Sequence, residues 1–101
     1  PMTTVRLHAT LLPPVERHTF IEVKLDRYDI DGAIYVPAAH LAYFDKDGRA
    51  ALDLWPNERG SRSSVYLVRV ASPRSTLLRS TISLPDDDAV DLRDVLEDRL
   101  T

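Results

Sequence analysis

Carboxylates in turns are the residues of this sequence best suited to chemistry. Asp29-Ile30-Asp31-Gly32 and Asp45-Lys46-Asp47-Gly48 each place two acidic side chains beside a glycine, and a hard cation such as calcium requires several such oxygens converging from one loop. Neither cluster continues with the further acidic ligand of a twelve-residue calcium loop, and turn formation alone accounts for Asp and Gly at these places. Asp86, Asp87 and Asp88 form a third acidic run, which suits a helix N-cap beside the positive end of the dipole. His8, His18 and His40 are too scattered to form a ligand pair on one element, and no acid stands beside them at metal-site spacing. Ser61, Ser63 and Ser64 supply hydroxyls, but no G-x-S-x-G elbow surrounds them. The chain has only three glycines, and none of them forms a phosphate-cradling loop. No metal site, no cofactor and no catalytic set is expected.

Binding chemistry has a better candidate in Trp55, the only tryptophan, which is followed by Pro56 and Asn57. An exposed indole beside amide and carboxylate groups is a platform for stacking a sugar, and Tyr43 would extend it. Tryptophan is also highly buried on average and finds a partner for its N–H at a sheet end, so a core or edge anchor is the favoured role. Asn57, Glu58 and Arg59 lie in the break between two apolar stretches. They form either a polar contact with a partner subunit or a solvated loop, and loops carry function disproportionately.

The elements that must position these residues are constrained by length and composition. With 101 residues, 44% of them apolar and 29% charged, the chain makes one domain, 1–101, around a single core. A net charge of -3 and no cysteine argue against a phosphate-backbone binder and exclude disulfides and thiolate metal sites. Apolar runs are only a few residues long and no apolar signal core follows the N-terminus, so neither a membrane span nor a signal peptide is expected. Pro1 before Met2 reads as a cloning scar.

Period-two patterning dominates. Val5, Leu7, Ala9 and Leu11 share one face of a first strand, which Pro13-Pro14 stops. Ile21, Val23 and Leu25 alternate with Glu22, Lys24 and Asp26 across 19–27, and Asp29 to Gly32 turns the chain. Ala33–Val36 and His40–Phe44 are shorter strands separated by Pro37. Asp45 to Gly48 signals a hairpin from Leu41–Phe44 to Arg49–Leu54, with Leu52 and Leu54 on the core side. Both faces of Ser64–Ala71 are partly apolar, which predicts a central strand covered more fully than its neighbours. Thr76–Leu84 aligns Leu78, Ile82 and Leu84. Ala89, Leu92, Leu96 and Leu100, flanked by Val95, recur at helical spacing and predict a helix from about Ala89 to Arg99. Such a helix is marginal alone and needs a partner surface, either the sheet or the same helix of a second subunit, so Leu92 and Leu96 are interface candidates.

This pattern predicts an all-β fold: a two-layer sandwich of six to eight strands with immunoglobulin-like or transthyretin-like connections and a short C-terminal α-helix. A small barrel is the alternative.

The run Phe44-Asp45-Lys46-Asp47-Gly48, then Leu52-Asp53-Leu54-Trp55-Pro56-Asn57, Gly60 and Ser64-Val65-Tyr66-Leu67-Val68 resembles a pattern near the N-termini of tailed-phage and prophage tail proteins. In that pattern an LWPN stretch precedes a Ser-x-Tyr-x-Val strand, and a Pro-Asp followed by an acidic helix closes the module. Leu84-Pro85-Asp86 with Asp91, Leu92 and Val95-Leu96 fits the closing part, so the resemblance covers Phe44 to Leu100. It implies a non-catalytic structural component of the virion tail, made in the host cytoplasm, serving as an attachment or spacer domain of a tail fibre or neighbouring tail protein. Its partners would be other virion tail proteins and copies of itself, as a trimer in the manner of phage fibres, with no nucleic acid and no membrane. The residues alone keep another possibility open, a small sandwich that recognises a glycan or host-surface ligand through Trp55 and adjoining loops.

Overall fold

The computed structural model describes residues 4–11 and 16–100, with side chains through Leu96; the expected stop at Pro13-Pro14 and the packing of Leu100 lie outside these. In chain order the elements are β1 (Val5–Thr10), β2 (Phe20–Leu25), β3 (Asp29–Ile30), β4 (Ile34–Tyr35), β5 (Ala39–Tyr43) and β6 (Arg49–Leu54). A 3-10 turn (Asn57–Arg59), β7 (Tyr66–Ala71), β8 (Thr76–Ile82), β9 (Ala89–Asp91) and α1 (Leu92–Leu100) follow. Two sheets face each other, a three-stranded one in the order β6-β1-β9 and a four-stranded one in the order β5-β2-β7-β8, while β3 and β4 form a small separate ladder. This is the two-layer sandwich expected, rather than a barrel.

Alternation decides which side chains go inside. Val5, Leu7 and Ala9 of β1 are buried while Arg6, His8 and Thr10 are exposed. Ala50, Leu52 and Leu54 of β6 do the same opposite them, with Leu7 paired to Leu52. From the other layer Ile21, Val23 and Leu25 of β2 and Tyr66, Val68 and Val70 of β7 point inward, and Ile82 and Leu84 complete the core. Each fully buried Leu, Ile or Val side chain contributes roughly 1.5–3 kcal/mol relative to exposure, so these positions carry the fold.

Three expectations need correction. The Asp45–Gly48 turn forms, with Gly48 at a φ of 77° and the Asp45 carboxylate accepting the N–H groups of Asp47 and Arg49. It does not make a hairpin ladder, because β5 pairs with β2 and β6 with β1; the turn carries the chain across the sandwich from one layer to the other. Strand β7 is central and covered more fully than its neighbours β2 and β8, as expected, with Leu67 its exposed outward side chain. Helix α1 begins at Leu92, because Ala89–Asp91 instead pair in parallel with β1 and satisfy the backbone groups that β6 leaves open. The helix start is accordingly capped by Asp91, whose Oδ1 accepts the Arg93 N–H at 2.9 Å, and not by Asp86 to Asp88.

Helix α1 packs along the side of the sandwich where β8 and β9 run, touching β1, β8 and β9. Leu92 is 6% exposed, and Val95 and Leu96 are partly buried against the core. Its apolar stripe therefore covers its own sandwich, which corrects the assignment of Leu92 as a contact residue.

Candidate functional site

At the end of β6 the strand period breaks. Leu54, Trp55, Pro56 and Asn57 are buried in succession, because the chain leaves the sheet and turns into the end of the sandwich. The Tyr35 ring of β4 lies flat on the indole of Trp55, 4.1 Å between centroids and 6° between planes. Trp55 Nε1 donates to Asp31 Oδ2 at 3.2 Å, and Arg59 Nε approaches the same oxygen at 3.1 Å. The Trp55 carbonyl accepts the Tyr66 hydroxyl at 2.8 Å, and burial pushes the Tyr66 phenol well above its ordinary pKa. The indole is thus an internal strut with its N–H already partnered, and a sugar-stacking role across its face is corrected by the Tyr35 ring that covers it.

Asn57 is a second internal stitch, 2% exposed. Its Nδ2 donates to the Ser64 carbonyl, and its Oδ1 accepts the Leu84 N–H at 2.7 Å. The Glu58 N–H donates to the Leu84 carbonyl at 3.1 Å. One amide therefore ties the end of β6 to the lead into β7 and to the exit from β8. Asn57 cannot also present its side chain to a partner.

The residue that sequence reasoning missed is Asp29, whose place in the Asp29–Gly32 turn is explained there by turn formation alone. Its carboxylate is fully buried and accepts hydrogen bonds from the backbone N–H groups of Ile30, Arg62 and Ser64 and from the Ser64 hydroxyl. Burial on its own raises the pKa of this carboxyl, but the four donors outweigh it and hold the group below its ordinary value. Two of those donors flank Ser63, which sits at a φ of 58° that a non-glycine residue adopts only when its surroundings fix it. Gly60 is required beside this acid, since a Cβ there would lie 2.1 Å from Asp29 Oδ2. The signal available in the sequence was the distant pair Asp29 and Ser64, which becomes meaningful only once β3 and the lead into β7 are adjacent.

The other candidates lie apart. Glu58 and Arg59 are exposed on the 3-10 turn, with Arg59 bridging Asp31 and Asp86. Tyr43 is 61% exposed at the far end of β5 from Ala39, edge-on to Phe20 at 6.2 Å, and shares no site with Trp55. A small, mostly apolar concavity of about 220 Å³ opens beside the indole edge, between Tyr35, Val36, His40, Trp55 and Tyr66. Among the described residues, no three of His, Cys, Asp or Glu come together so as to hold a metal ion.

A broader surface is the outer face of the four-stranded sheet, where Leu41, Tyr43, Leu67 and Leu77 are all at least 45% exposed. Lys24, Glu22, Arg69 and Arg79 run across it, with Arg69 paired to Glu22 at 3.3 Å and set over the Phe20 ring. Lys24, Leu67, Arg79 and Thr81 line a shallow groove of about 690 Å³ there. No family model matches the chain, and no curated protein matches it either. Fold and site together define an all-β two-layer sandwich whose most distinctive loop residues are used to hold the sandwich together.

Proposed function

We propose that the chain is a structural, non-catalytic module of a virion tail, an attachment or spacer domain of a tail fibre or neighbouring tail protein. One observation carries the reading: the residues that make up the tail-protein resemblance form a single cross-linked unit. Trp55 is locked by Tyr35, Asp31 and Tyr66, Asn57 joins Ser64 to Leu84, and Gly60 makes room for Asp29. A motif whose residues are occupied in bracing three connections suits a module that bears load and presents its faces to other proteins. Its partners are then other tail proteins and further copies of itself, with a trimer the form expected of fibres. Immuno-electron microscopy of virions from the phage or lysogen that encodes the chain tests this. Label on the tail or its appendages is expected, and particles free of the chain would refute the assignment.

The glycan-binding alternative retains the concavity beside the Trp55 edge, with His40 and Tyr35 at its walls. Titration with a glycan panel while following Trp55 emission decides it, an unchanged spectrum throughout removing this reading.

A further inference from the structure

We propose that copies of this chain associate face to back: the acidic concavity formed by β9 and the start of α1 on one copy receives the basic, apolar outer face of the four-stranded sheet of the next. This names a surface for the self-association in the reading above and rests on that part of it alone.

The two surfaces are opposite in charge and lie beside the same flank. On the three-stranded sheet, Asp87, Asp91 and Asp94 surround a concavity of about 500 Å³ with Pro85, Val90 and Val95 as its apolar lining. His8 borders it and Arg93 is exposed on the helix nearby. On the four-stranded sheet, Lys24, Arg69 and Arg79 face outward with one carboxylate, Glu22, among them. Arg69 and Glu22 neutralise each other, whereas Lys24 and Arg79 have no carboxylate within ion-pair distance among the described residues. In a chain of net charge -3, a cationic face with Leu67 and Leu77 open beside the cations is the natural complement of the acidic one.

Topology then sets the geometry. Strands β8 and β9 are edges of their respective sheets, and α1 touches both, so the acidic and basic faces diverge from one common side of the sandwich. A contact between them joins unlike surfaces, so it is heterologous and builds a ring of three or more, or an open filament, rather than a twofold dimer. Four strands about 4.8 Å apart and six residues of about 3.3 Å give a sheet face of roughly 15 by 20 Å, which places the contact among small, weak interfaces. Association is therefore expected to be concentration-dependent and, because it is charge-guided, salt-sensitive.

Sedimentation velocity on the full chain tests this at low and high salt over micromolar to millimolar concentration. The weight-average mass should rise with concentration beyond that of a dimer, and added salt should weaken association several-fold. Arg79→Glu and Asp87→Lys, both at exposed positions, should each weaken association about tenfold or more with the circular dichroism spectrum unchanged. An equimolar mixture of the two variants should recover a heterodimer through the one intact pair of faces. A monomer at all concentrations, a limiting dimer of the wild type, or association insensitive to either variant would overturn the proposal. Those outcomes leave attachment to a different tail protein standing, and virions lacking the chain would leave this contact standing.

Discussion

Replacing Asn57 by alanine should cost this domain a large share of its stability, although the side chain is small and polar. The amide serves two buried backbone groups at once, the Ser64 carbonyl and the Leu84 N–H, and no water-exposed route replaces it because Asn57 is 2% exposed. Each backbone group left without a partner costs about 1–3 kcal/mol, so the loss is about 2–6 kcal/mol once both are counted. Against a total of about 10 kcal/mol for a typical domain, the middle of that range, about 4 kcal/mol, is roughly two-fifths. For a domain of this size a loss of 3 kcal/mol lowers the Tm by about 12–24 °C. Urea denaturation followed by Trp55 emission measures it, since the indole lies two residues away in the same buried run. Asn57→Asp adds a check on the mechanism. The carboxylate still accepts from Leu84 N–H but, when ionised, cannot donate to the Ser64 carbonyl; burial and that carbonyl raise its folded-state pKa above the unfolded value. The folded state then binds the extra proton, so the variant should lose ground relative to wild type as pH rises from about 4 toward 7. A loss below about 1 kcal/mol for Asn57→Ala, or an Asn57→Asp deficit independent of pH, would refute the stitch as described.

Other outcomes follow from the same cross-linked end. The Asp29 carboxyl is held below its ordinary value, so the stability it contributes is fully present above the unfolded pKa of about 3.8 and is lost as pH falls through the lower folded value. Asp29→Asn should be destabilised at neutral pH by about 3 kcal/mol and should show a flatter acid limb in pH-dependent melts. Gly60→Ala should cost about 1–3 kcal/mol, because the carboxylate it meets is fixed by four donors and cannot swing aside; a thermal melt within 2 °C of wild type would contradict this. Leu92→Ala should lose about 2–4 kcal/mol by opening a cavity under α1, and Leu96→Asp should lower stability more than it changes oligomer mass, as denaturation and light scattering will show together.

Legibility in the sequence followed burial. Where one face of a strand is inside and the other in water, as in β1 and β2, the residue types report it directly, and the inward sets Val5, Leu7, Ala9 and Ile21, Val23, Leu25 are those the alternation identifies. Where an element's place depends on a distant partner, the local pattern misleads. Ala89-Val90-Asp91 carries helical spacing, yet the open edge of β1 captures it as a strand, since an unpaired backbone edge outweighs a weak propensity. The Asp45–Gly48 turn was readable as a turn, but which strands it would leave paired was decided by the two sheets. At the candidate site, Trp55 was legible as an anchor, whereas the buried state of Asn57 and Asp29 was not. Polar residues usually indicate solvent, and only the fold reveals that their partners are backbone groups 7 to 35 residues away.

The placement of β1 also governs how the domain is made. It is the first strand among the described residues but the middle one of its sheet, and its second neighbour is β9, about 80 residues further on. During synthesis Val5–Thr10 can gain β6 early, but its other edge stays unpaired until residues 89–91 have left the ribosome. Pairing across so long a loop is slow, and an open strand edge invites pairing with another chain. Chains cut short before Ala89 should therefore accumulate in aggregates, whereas chains that include β9 and α1 seal that edge.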